Sequence, residues 1–200
     1  MPAEELKIAE VIETASTGFT AQCYDLSAPP ALGSLVKTSV DGVMLFAVIS
    51  HVTTASFEPG RKPVARGRDE ETEDDIFKSN PHLEKLIRCE IQALVVGYTE
   101  NGAVRHHLPP RPARLHGFVY NCSDTEIRDF SRKNGYIPLL LSAHGEVSAE
   151  EITAAAIRRL SAAYEGEERR QFLIASGKAL AQLLSADYHR LKTILERLAV

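Results

Sequence analysis

Near Asn121 the chain changes texture: short apolar stretches broken by Gly and Pro give way to long segments with apolar residues at helical spacing. A strand alternates faces every second residue, whereas a helix returns to the same face after about 3.6, so the two patterns demand different packing partners. The expected class is therefore α+β, with an N-terminal small antiparallel β-barrel followed by a C-terminal helical region of three to four helices. We assign residues 1–120 to a barrel domain, interrupted by a flexible charged loop over 58–75, and residues 121–200 to a helical domain. Since 44% of the 200 residues are hydrophobic, the chain can bury a substantial core.

Within the first half, Leu6, Ile8, Val11 and Ile12 mark one strand and Phe19 to Tyr24 a second, joined at Thr17-Gly18. Leu35–Thr38 and Val43–Val52 flank Asp41-Gly42, a dipeptide that tolerates positive φ and suits a two-residue hairpin. Val43 to Ile49 is apolar throughout, as expected for a central strand with both faces covered or one that closes a small barrel. Glu58 to Asp75 is a run of basic and then acidic residues with little to bury, and it reads as a mobile excursion. Asn80-Pro81 resembles an N-cap and first helical position, opening a short helix through Leu83 and Leu86. Strand spacing resumes at Cys89, Ile91, Ala93 and Val95, with Glu90 and Gln92 facing water, and Asn101-Gly102 marks another hairpin. The Pro-rich stretch Leu108 to Asn121 is expected to be a stiff edge or crossing linker, because proline offers no ladder donor.

The second half is punctuated by capping boxes. Ser123-Asp124-Thr125-Glu126 opens a helix stopped by Asn134-Gly135, and Ser148-Ala149-Glu150-Glu151 opens another that Gly166 should end. Between them, Ile137 to Leu141 reads as a buried extended segment or packed turn. Phe172, Ser176, Leu180 and Leu184 predict a third helix, and Tyr188, Leu191, Ile194 and Leu198 a last one capped by Ser185.

Chemistry is sparse. The chain has no nucleophile elbow, dinucleotide fingerprint or zincin motif, so an ordinary enzyme is disfavoured and no cofactor is expected. His106, His107 and His116 form the best metal-like grouping. Adjacent strand residues point to opposite faces, however, and no Cys or carboxylate lies at ligand spacing, so no metal site is assigned. The three cysteines include no CxxC pair, and Cys89 reads as structural. One local feature stands out against a net charge of −4: Arg105, His106, His107, Arg111, Arg114 and His116 form a cation strip without an intervening acid. It is a candidate polyanion-binding surface; the competing reading is a solvated linker whose arginines pair with the acidic run Asp69 to Asp75. MPAEELKIAE has no signal-peptide core and no apolar run is long enough for a membrane span, so a cytoplasmic location without a membrane partner is expected.

An Ile-x-Glu-Val-Ile opening strand (Ile8 to Ile12, with Ala9 and Glu10 between), Gly33-Ser34-Leu35-Val36, Asp41-Gly42 before an apolar strand, and a PPRP segment leading to Val119 and a capped helix occur in a familiar order. On these motifs the first 130 or so residues resemble the HAS barrel of HerA-type DNA-translocating ATPases and rotary ATP synthase subunits. That resemblance implies a module that helps subunits associate into a ring. The family's motor is missing: there is no G-x-x-x-x-G-K-[ST], and Gly177-Lys178 lies inside a helical pattern. The expected function is a non-catalytic oligomerisation or adaptor protein associated with such an ATPase. Its expected partners are copies of itself or that ATPase, and the alternative is a nucleic-acid-binding barrel.

Overall fold

A computed structural model of the protein describes residues 6–58, 60 and 62–198. Part of the N-terminal stretch assessed for a signal peptide, and positions 59 and 61 of the charged excursion, lie outside the described residues.

The N-terminal half is a closed antiparallel barrel. Strands β1 (Lys7–Ala15), β2 (Gly18–Cys23), β3 (Leu35–Val40), β4 (Val43–Ser56), β5 (Ile87–Glu100) and β7 (Phe118–Asn121) run β2-β1-β7-β3-β4-β5, and β2 pairs back onto β5. The short β6 (Ala103–Arg105) extends β5 as a hairpin outside the closed ring. Asp41 and Gly42, with φ of 50° and 80°, turn β3 into β4 with Val40 opposite Val43. Asn101 and Gly102 do the same between β5 and β6. Register shifts in the β4–β5 pair between Phe46 and Ala47, and between Ile49 and His51, bend these long strands as closure requires.

Two cores explain the apolar run in β4. Leu45, Ala47 and Ile49 point into the barrel with Ala9, Val11, Phe19, Val36, Ile91 and Val119. Phe46 and Val48 face outward with Leu35 and Val96, beneath the helices. The helical layer therefore covers β3, β4 and β5, and leaves β1 diametrically opposite it in the strand order. Gly33 marks the closest approach: at φ +82°, a Cβ there would lie 2.4 Å from the Ala155 carbonyl carbon.

The helices are α2 (Asp124–Ser131), α3 (Ile137–Leu141), α4 (Ala149–Ser161), α5 (Gly166–Leu183) and α6 (Tyr188–Leu198), with a 3₁₀ turn at Asn134–Tyr136. This exceeds the expected three to four, because Ile137 to Leu141 is a single helical turn with Pro138 in its first turn, where proline is tolerated. The Ser123 box forms in both directions. Ser148 accepts from the Glu151 amide, while Glu151 itself pairs with Arg158 and Arg197. Gly166 begins α5 rather than ending the preceding helix, and Asp187, not Ser185, caps α6 by accepting from the Arg190 amide. Arg190 then bonds Glu150 and the Leu141 carbonyl, tying α6 to α3 and α4.

Two linkers differ from expectation. The acidic end of the charged run forms α1 (Glu73–Ser79), capped by Thr72, whose hydroxyl accepts from the Asp75 amide. Asn80 does not cap the turn after it; its side-chain amide donates to the Ile76 carbonyl and closes α1, and Pro81–Lys85 is a 3₁₀ turn. The Pro-rich stretch is a linker only to Gly117, after which β7 inserts between β1 and β3.

Candidate functional site

The cation strip does not converge. Arg105 pairs with Glu100 across the β5–β6 hairpin at 3.3 Å, Arg111 with Asp41 at the β3–β4 turn, and His116 Nδ1 with Glu10 at 2.6 Å. These partners come from neighbouring strands, and not from the acidic run Asp69 to Asp75. His107 is exposed, stacked edge-on to Tyr98, and Arg114 is exposed. His106 turns inward: its Nε2 lies 2.9 Å from the Phe130 carbonyl at the end of α2, and its ring meets Phe130 and Tyr136 edge-on. A carbonyl accepts only, so Nε2 carries the proton and donates. Burial, with Lys133 nearby, holds this imidazole below its ordinary value despite the opposing hydrogen bond, which makes His106 a neutral structural group.

His106 also lines a cleft of about 610 Å³ beside α2, together with Phe46, Val104, Asp129 and Lys133. Glu126 borders the same cleft and anchors α2 to the barrel. One of its carboxylate oxygens lies 2.5 Å from Lys37 Nζ, and the other accepts from the Ser123 amide and hydroxyl. Lys37 is only 3% exposed although it is charged, because it lies on the outer face of β3 under α2. Burial raises the Glu126 carboxyl, but Lys37 and Ser123 outweigh it and leave the group below its ordinary value. Asp129 is taken up by Arg132 at 2.7 Å. Among the described residues, no group of three His, Cys, Asp or Glu is placed to hold a metal ion, and no helix is long and apolar enough to cross a membrane.

The opposite flank has a different character. Ile12 on β1, Tyr24 just after β2 and Phe118 on β7 are 39%, 52% and 40% exposed, and Leu115 in the linker before β7 is exposed too. No protein-family model matches this chain, and neither does any curated protein. The strands of this flank pack inward through Ala9, Val11, Phe19 and Val119, and polar contacts fix the side chains on their outer face. Tyr24 Oη donates to Glu10 at 2.8 Å, Glu10 also engages His116, and Lys7 Nζ sits 3.9 Å from the Phe118 ring centre. Hydrogen bonds from His116 and then Tyr24 hold the Glu10 carboxyl below its ordinary value. The result is an aromatic surface with a fixed charged rim, a composition typical of protein interfaces.

Sequence reasoning missed this flank, and although it placed Glu126 in the capping box it missed the ion pair with Lys37. For Lys37 a signal existed, namely one charge inside the otherwise unbroken Leu35–Val40 strand. The aromatic flank had none, because Tyr24 and Phe118 lie far apart along the chain and are brought to the two sides of Glu10 on β1.

Proposed function

We propose that this protein is a non-catalytic oligomerisation or adaptor module that docks through the bare flank of its barrel, onto copies of itself or onto a HerA-type ATPase ring. The observation that carries this reading is the asymmetry of the barrel: helices bury one side, while Ile12, Tyr24, Leu115 and Phe118 lie open on the other. Soluble barrels normally keep such a surface polar, and Tyr and Phe held rigidly at a charged rim favour association at low entropic cost. The roles of reactive groups support the same reading. Cys23 and Cys89 sit in the barrel interior, His106 is a half-buried neutral donor, and Arg105, Arg111 and His116 have carboxylate partners. The closed antiparallel barrel supports the HAS-barrel resemblance at the level of fold class.

Light scattering over a range of concentrations, alone and with a HerA-type ATPase, tests the proposal. Tyr24→Glu with Phe118→Glu should abolish association while leaving the circular dichroism unchanged. A wild-type chain that stays monomeric at high concentration and ignores the ATPase would sink it. The alternative, polyanion binding, draws support from Arg105 and Arg111 remaining 48% and 73% exposed despite their pairing. It requires oligonucleotide binding that weakens steeply with salt and is lost when Arg105, Arg111 and Arg114 become Ala.

A further inference from the structure

Two cysteines far apart in sequence meet inside the barrel. Cys23 ends β2 and Cys89 lies near the start of β5, and both belong to the interior core. The β2–β5 ladder runs from Gly18 opposite Leu94 to Gln22 opposite Glu90. One further step in that register sets Cys23 opposite Cys89, and both side chains belong to the same buried cluster inside the barrel. Directly opposed residues on antiparallel strands have Cα atoms about 4.5–5.5 Å apart, inside the roughly 4.4–6.8 Å that a disulfide spans. Cys23 also lines a cleft of about 540 Å³ at the end of the barrel, with Tyr24, Asp25, Phe77 and Lys85 around it.

We propose that Cys23 and Cys89 form a modification site, a dithiol that a small-molecule disulfide of the glutathione class, entering through this cleft, converts to a disulfide across the β2–β5 seam. In the first step the Cys23 thiolate attacks one sulfur of the oxidant, forming a mixed disulfide and expelling one glutathione thiolate, which takes up a proton. In the second, the Cys89 thiolate attacks the Cys23 sulfur and the remaining glutathione leaves as a thiol. The protein gives up two electrons and two protons, and the oxidant becomes two thiols. Lys85 at the cleft offers a cation to a carboxylate of the oxidant. Burial, and next the neighbouring Cys89, push the Cys23 thiol up to about 12, so the first step is slow at neutral pH and quickens as pH rises. The closed loop takes in the charged excursion and α1, and its closure removes conformational freedom from the unfolded chain.

The test incubates the full-length protein with oxidised glutathione from neutral to alkaline pH, alkylates the remaining thiols under denaturing conditions and maps the products by mass spectrometry. The expected result is a peptide linking Cys23 to Cys89, forming faster at higher pH and raising Tm by roughly 5–15 °C until reductant is added. In Cys89→Ala the reaction should stop at a glutathionyl group on Cys23. Full alkylation of both residues after prolonged incubation at every pH would overturn the proposal. Modification confined to Cys122, or a disulfide between two chains, would overturn it equally.

Discussion

Replacing Glu126 with Leu should destabilise the protein far more than replacing Lys37 with Met, although both changes destroy the same ion pair. Glu126→Leu removes two contributions. The return arm of the α2 capping box is worth about 0.5–1 kcal/mol. The second is the carboxylate beside an ammonium that is 3% exposed. Breaking a fully buried pair from one side costs about 3–5 kcal/mol, and we halve this because Glu126 is itself 32% exposed. The total is about 2–3.5 kcal/mol. Lys37→Met keeps the apolar stem, removes the buried charge altogether and leaves Glu126 with Ser123 and solvent, so its cost should stay within about 1 kcal/mol. The double variant should recover most of the Glu126→Leu loss, giving a coupling of about 2 kcal/mol in urea unfolding followed by circular dichroism. The pH dependence follows from the lowered Glu126 carboxyl. Its contribution is complete above the ordinary carboxyl value of 4.5 and is lost as pH falls through the folded value, so acid should weaken wild type over a range where Glu126→Leu is flatter. Equal losses in the two single variants, with additivity in the double, would show that the contact does not couple α2 to the barrel.

His106 should make stability fall as pH drops from about 6.5, its ordinary value, because the unfolded chain takes up the proton before the folded one does; His106→Gln should flatten that slope in chemical denaturation at stepped pH. Gly33→Ala meets both a positive φ and the α4 backbone and should cost about 2–4 kcal/mol, measured as a lower urea midpoint; a change below about 0.5 kcal/mol would refute the close packing of loop on helix. Ser148→Ala should cost about 1 kcal/mol through the lost cap on α4, read by thermal melting.

Features set by residues close in sequence are legible in the chain itself. The Asp41-Gly42 and Asn101-Gly102 turns, the Ser123 box and the doubly covered β4 strand each declare themselves within a few positions. Helix starts and stops are harder to read, because the same residue types serve either end. Gly166 reads as a terminator by type but adopts φ +48° at the entrance to α5, and Ser185 is passed over for Asp187 only two positions on. The candidate sites are least legible. The cation strip looks continuous because its residues are near neighbours in sequence, yet strand pairing hands Arg105, Arg111 and His116 to three different carboxylates and the α2 end claims His106. The approach of Cys23 to Cys89 across the β2–β5 seam, and the grouping of Ile12, Tyr24 and Phe118 around β1, depend on strand pairing that no short window of sequence records.

The position of β7 has a consequence for how the molecule is made. It is the last barrel strand to leave the ribosome, yet it belongs in the middle of the sheet, between β1 and β3. Until residue 121 emerges, both of those earlier strands carry a row of unsatisfied backbone groups beside an apolar interior. A nascent chain stalled before Phe118 would thus be an open, sticky sheet, and the final closure joins residues more than a hundred positions apart. Slow completion and a need for protection during synthesis are built into the order of the strands.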